Sequence, residues 1–221
     1  METTESQLSK EHYVAVLTSD IVHSTHLSPD EYKAVIASLT VILTRVAKEN
    51  DAVFEIFRGD GFQMYFKRID VAIKCTLVVR LYMQAGIECK SVLLTQSLAI
   101  DMFDDLTDKP GTSSGKAFLI SGRQLDNAKR GDLIITLPSA LSAPGLILST
   151  KFLQQLLSGL TTKQANVLYH YVDQSYPEQK VIAKALDMTR QNVATHLKRG
   201  GADLISEYIN TFASILQGSQ K

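Results

Sequence analysis

The chain has 221 residues, and its 23 Lys and Arg balance 23 Asp and Glu, for a formal net charge of zero. With 45% hydrophobic and 21% charged residues the composition is that of a folded globular protein, long enough for one substantial domain and a small one. No global field draws such a chain to nucleic acid or membrane, so any DNA binding has to come from a local patch.

Met1 to Glu11 is polar and acidic, with no apolar stretch behind a basic start, which argues against a signal peptide. No apolar run approaches the roughly 20 residues a membrane helix needs, and a cytoplasmic location is expected. "HYVAVLTSD" (12–20) reads as a buried strand ending on Asp20. "SPDEYKAVIASLTVILTRVAKEN" opens a helix, with Ser28 as N-cap, Pro29 as first helical residue, and Asp30 and Glu31 at the positive end of the dipole. Val35, Leu39, Ile42, Leu43 and Val46 give that helix one apolar face.

Residues 53–66 form a hairpin whose tip, "FRGDGF", carries Arg58 and Asp60. "IDVAIKCTLVVRLYMQ" (69–84) is a second amphipathic helix and "IECKSVLLTQSL" (87–98) a strand region. A polar loop (102–115) leads into a third helix over "KAFLISGRQLDNAK"; "DLIITL" (132–137) and "LILST" (146–150) read as strands. The order β–α–β–β–α–β–α–β predicts an α+β fold: an α/β sandwich of ferredoxin-like type, its sheet mostly antiparallel, with helices on one face. Cys75 and Cys89 fit neither a disulfide framework nor a CxxC metal site and are expected to be buried thiols.

From about residue 158 the pattern is helical throughout, which places a domain boundary between 1–155 and 156–221. "TTKQANVLYHYVD" gives a helix capped by Thr161 or Thr162, "PEQKVIAKALDM" a second opened by Pro177, and "TRQNVATHLKRGG" a third capped by Thr189. Ala183, Leu186, Met188, Val193 and Leu197 have the spacing that lets two short helices cross tightly. The third helix exposes Arg190, Gln191, Asn192, Thr195, His196, Lys198 and Arg199, with no acidic residue from Thr189 to Gly200. Arg, Gln and Asn can pair with base edges, while Lys198 and Arg199 suit phosphates. A docking bundle is the plainer alternative. "ADLISEYINTFASIL" (202–216) is apolar enough for core or a dimer seam.

Asp20 and Asp60 are the chemically loaded pair. If strand one lies beside the hairpin, the two carboxylates converge, and two close anions invite a cation such as Mg²⁺ over a nucleotide's phosphates. The "IVHST" turn behind Asp20 offers backbone N–H groups to phosphate oxygens. Without such convergence they are a strand-end residue and a hairpin turn.

"VLTSDIVHST", "FRGDGFQMYF" and "GRQLDNAKR" together resemble the three signature stretches of class III nucleotidyl cyclase catalytic domains, over roughly residues 12–150. The resemblance implies a cyclase-like fold, with Asp20 and Asp60 on the metal positions for Mg²⁺ or Mn²⁺ and Ile21 lending a backbone carbonyl. It places Ser24 and Thr25 at the phosphates, and Arg130 at the transition-state arginine of a G-x-x-V-N-x-A-x-R helix start. Gly122, Leu125 and Ala128 fit that motif, but Asp126 stands where asparagine is expected. The family's base-reading lysine is replaced by Ile56 and its partner by Leu119, neither of which can hydrogen-bond a base. Arg58 is then a neutraliser of the aspartates or a phosphate clamp, unless it is a solvated residue beside a turn. "SSGK" (113–116) is a second phosphate loop or a plain flexible one.

The C-terminal helices resemble the helix-turn-helix of sigma-factor region four, with Asp187 where a turn glycine is common. Together the resemblances imply a DNA-binding transcriptional regulator that binds double-stranded DNA. Its degenerate cyclase-like domain dimerises and senses a nucleotide or cyclic nucleotide. The alternatives are an active nucleotidyl cyclase of unusual base choice, with Arg130 catalytic, and a binding module for neither ligand.

Overall fold

Ser28 starts the longest helix as its sequence predicts. Its hydroxyl accepts the Glu31 N–H while Glu31 reaches back to the Ser28 N–H, a capping box ahead of Pro29. The computed structural model describes residues 12–57, 59–141 and 144–218. In chain order these form β1 (Tyr13–Ile21), α1 (Pro29–Asn50), β2 (Ala52–Phe57), β3 (Gly61–Phe66), α2 (Ala72–Ala85), β4 (Leu94–Met102), α3 (Lys116–Asp126) and β5 (Leu133–Thr136). The helices α4 (Pro144–Ser158), α5 (Thr162–Asp173), α6 (Gln179–Ala185), α7 (Arg190–Arg199) and α8 (Ala202–Gly218) follow.

The five strands make one sheet in the order β2-β3-β1-β4-β5, antiparallel except for the β4–β5 pair. This is the mixed α+β architecture with a mostly antiparallel sheet that the element order implies. β1 is central, and its uninterrupted apolar run is buried on both faces. Ala15 and Leu17 pack with α1 and α2, whereas Val14 and Val16 pack with Tyr65, Ala117 and Phe118. So α3 covers the second face of the sheet, and the expectation of helices on one face alone is corrected. An alternating strand would have left that face in water; this one has apolar side chains on both.

"LILST" is not a strand. It lies inside α4, where Thr150, Leu153 and Leu157 are buried at helical spacing. A five-residue apolar run cannot distinguish the two periods, and Pro144 at the helix opening was the better signal.

α5 packs on α2, with Tyr82 and Tyr169 edge to face at 5.2 Å. Arg45 of α1 ion-pairs with Asp173 of α5 at 2.7 Å, and Gln84 of α2 donates to the Leu157 carbonyl at 3.0 Å. The buried apolar side chains run without a break from α1 and α2 into α5, α7 and α8. Among the described residues no helix is long and apolar enough to cross a membrane. Cys75 is buried, which pushes its thiol up to about 12, and Cys89 is half-buried; both are free.

Candidate functional site

β1 and β3 are paired so that Asp20 stands opposite Gly61, one residue past Asp60. Gly61 keeps this approach open, because a Cβ there would lie 2.7 Å from Asp20 Oδ1. The turn is fastened to β1 by the Ile21 N–H donating to the Asp60 carbonyl at 3.2 Å. Ser24 then donates its hydroxyl to Asp60 Oδ2 at 2.6 Å. The loop that delivers Ser24 bends at His23, which adopts the left-handed conformation (φ 58°), and the His23 and His26 rings stack at 5.1 Å.

These elements surround a cleft of about 940 Å³, bounded by Asp20, Asp60, Ser24, His26, Thr95 and Arg130 among others. Ile21, Thr25, Leu125 and Ala128 also line it. Asp20 reaches the cleft, yet burial raises its carboxyl above the ordinary carboxylate value, and the charges of Asp60 and then Asp126 push it the same way. Among the described residues lining the cleft there is no lysine, and Arg130 lies there with the aspartates.

Asp20, Ile21, Ser24, Thr25, Asp60 and Arg130 are brought together, and Asp126 acts on Asp20 through its charge. Arg58 lies outside the described residues. "GRQLDNAKR" is not a helix start: it is the end of α3 and the turn after it, since the helix already opens behind Gly115. Arg130 reaches the cleft from that turn, held by Arg80 donating to the Gly131 carbonyl at 2.5 Å. Ile56 packs against the apolar core, and Leu119 on α3 is 58% exposed. Of the 113–116 stretch, Ser113 bonds within its own loop and Lys116 pairs with Asp101 at 3.0 Å, away from the cleft.

Thr18, Thr95, His23 and His26 line the cleft and were not picked out from sequence. Thr18 could have been, being two residues before Asp20 on the same strand face. Thr95 could not, because it enters only through its register opposite Asp20 on β4. Two carboxylates and a backbone carbonyl are oxygen donors suited to Mg²⁺ or Mn²⁺. Among the described residues no group of three His, Cys, Asp or Glu could enclose an ion. A metal here would therefore complete its shell with water and ligand oxygens.

At the other end of the chain α6 and α7 are joined by a tight turn, with Asp187 left-handed (φ 49°), the conformation for which glycine was expected. Thr189 caps α7 by accepting the Asn192 N–H. Pro177 stands just before Glu178, the N-cap of α6. Gln191, Asn192, Thr195, Lys198 and Arg199 are exposed. His196 is half-buried, with Nδ1 shut off from solvent, which removes one ring nitrogen from any outward contact.

No protein-family model matches the chain, and no curated protein is significantly similar to it. Solved structures are similar over part of its length, among them the following three. The guanylyl cyclase Cya2 shares 15% identity over 58% of this chain and 75% of its own, with a TM-score of 0.42. The adenylyl cyclase CyaB from P. aeruginosa shares 14% over 58% of this chain and 78% of its own, with a TM-score of 0.44. Adenylate cyclases from Trypanosoma brucei in their monomeric state share 13% over 63% of this chain and 78% of theirs, with a TM-score of 0.45.

Proposed function

We propose that the chain is a DNA-binding regulator in which the acidic cleft holds a nucleotide through a divalent cation and α6–α7 acts as a helix-turn-helix. One observation carries the first half: Asp20 and Asp60, 40 residues apart in sequence, share a cleft with Arg130. Carboxylates held that close in a half-enclosed site lower their repulsion by binding a cation, and a cation there offers itself to phosphate oxygens. Arg130 supplies the complementary charge for the phosphates.

Sensing is favoured over turnover because the base-reading lysine and the signature asparagine are both missing. Ile56 belongs to the core, and the asparagine of the signature is missing in either register. Spaced from Gly122, that position is Asp126. Spaced from Gly115, where α3 actually opens, the pattern runs through Phe118, Leu119, Ser121 and Arg123, and the position is Leu119. An active nucleotidyl cyclase is the second reading, favoured by Arg130 lying in the same cleft as both aspartates. In the cyclase resemblance the site is shared across a head-to-tail dimer, so a homodimer is part of the proposal. It would set two α7 helices on two half-sites.

Purified protein is incubated with Mg²⁺ or Mn²⁺ and each nucleoside triphosphate. A sensor shows a thermal shift with at least one of them and forms no cyclic product, whereas cyclic product would establish the second reading. For the DNA half, gel retention of a genomic fragment should weaken steeply with salt and be lost for that fragment in Gln191→Ala. Equal retention by that variant removes α7 as the reader.

A further inference from the structure

α7 is a ridge between two clefts. One, of about 500 Å³, includes Lys163, Asn166 and Asn192; the other, of about 900 Å³, includes Tyr171, Tyr176, Lys180, Arg190, Lys198 and Asp203. Gln191 and Thr195, one turn apart and exposed, line neither cleft and form the crest. Arg190 is next to Gln191 in sequence but about 100° around the helix, so the two point in different directions.

The charges in the larger cleft are unevenly spent. Glu178 is engaged by Lys180 in an exposed pair at 2.8 Å. Arg190 uses only Nε, donating to Gln179 Oε1 at 3.4 Å, and its other guanidinium nitrogens have no partner among the described residues. Lys198 has none either among the described residues, and besides the paired Glu178 the anion lining this cleft is Asp203. A helix about 10–12 Å across just fills a major groove about 12 Å wide, which puts a sugar-phosphate strand along each flank.

Resting on the DNA reading above, we propose that the larger cleft seats the phosphodiester backbone, with Arg190 and Lys198 as its phosphate ligands and the crest left to read bases. Arg190, a residue type that usually pairs with guanine, is then a positioning contact without sequence preference. Asp203 works against the contact and tunes it down.

The test measures binding of the full chain to two duplexes, the genomic fragment it retains best and one of random sequence, across a salt series. Arg190→Ala should weaken both by the same factor, roughly three- to tenfold, and reduce the salt slope by about 0.9. Arg190→Lys should recover most of the loss, because a point charge suffices for a phosphate. Asp203→Asn should tighten both. Both positions are on the surface, so unchanged circular dichroism is expected. A loss confined to the selected fragment, with the random duplex and the slope unaffected, overturns the proposal and returns Arg190 to base reading. If the unmodified chain retains no duplex at all, the DNA reading fails and this assignment falls with it.

Discussion

Asp20 is held in a folded environment that its own charge opposes. Its carboxyl is raised from an ordinary value near 3.8, so the folded state binds the proton more readily than the unfolded chain does. The sign follows: this group weakens the fold as pH climbs through the raised value, and the penalty is fully present above it. Asp20→Asn should therefore be stabilising at pH 7, with the advantage shrinking as pH falls toward 3.8, measured by denaturant melts along a pH series. A variant less stable at pH 7 would remove the repulsion. A divalent cation should relieve the same strain, stabilising the native chain but not Asp20→Asn by about 1.4 kcal/mol at ten times Kd, read as a higher melting point. Gly59, at the same hairpin tip, adopts φ +90°, and a Cβ on it would run into the Tyr32 hydroxyl. Gly59→Ala should cost about 1–2 kcal/mol by thermal melting, because a left-handed alanine is strained whatever the space.

Elements with strong end signals formed where their residues predict. Ser28 and Thr161 both make capping boxes, and Thr189 caps α7. The failure lies where one short pattern fits two periods, as in "LILST". α3 opens at Lys116 behind Gly115, where "KAFLISGRQLDNAK" puts it, and only the helix-start motif, spaced from Gly122 in the resemblance, falls at the wrong end of the helix. Arg80 of α2 was invisible as a functional support because its role depends on neighbours from three elements. It is 1% exposed, with burial lowering it to about 10, and it donates to the carbonyls of Leu94 and Gly131. Arg80→Met should leave those carbonyls unpaired and cost about 1–3 kcal/mol. Faster amide exchange in the 129–132 turn would locate the damage, and unchanged exchange there would show that the turn does not need this support.

The two stretches that carry different chemistry share one body of buried side chains. α1 begins beside the acidic cleft and, at Arg45, grips α5 through Asp173. Gln154 of α4 donates at 2.6 Å to Asp132, at the end of the turn that carries Arg130. Such continuity predicts one cooperative unfolding transition by calorimetry, with the C-terminal helices melting together with the sheet. Two resolved transitions would show that the boundary near residue 155 is also a boundary of stability.

Local chemistry was written plainly in the chain: the strand that stops near Asp20, the Gly-Asp-Gly turn, the capped helices and the acid-free stretch of α7. Each of these depends on neighbours within a few residues, where backbone preference and periodicity act. The meeting of Asp20 with Asp60, the place of Thr95 and Arg130 beside them, and the division of α7 into crest and flank came from strand register and helix packing. These set distances between residues far apart in sequence, and no short-range pattern encodes them.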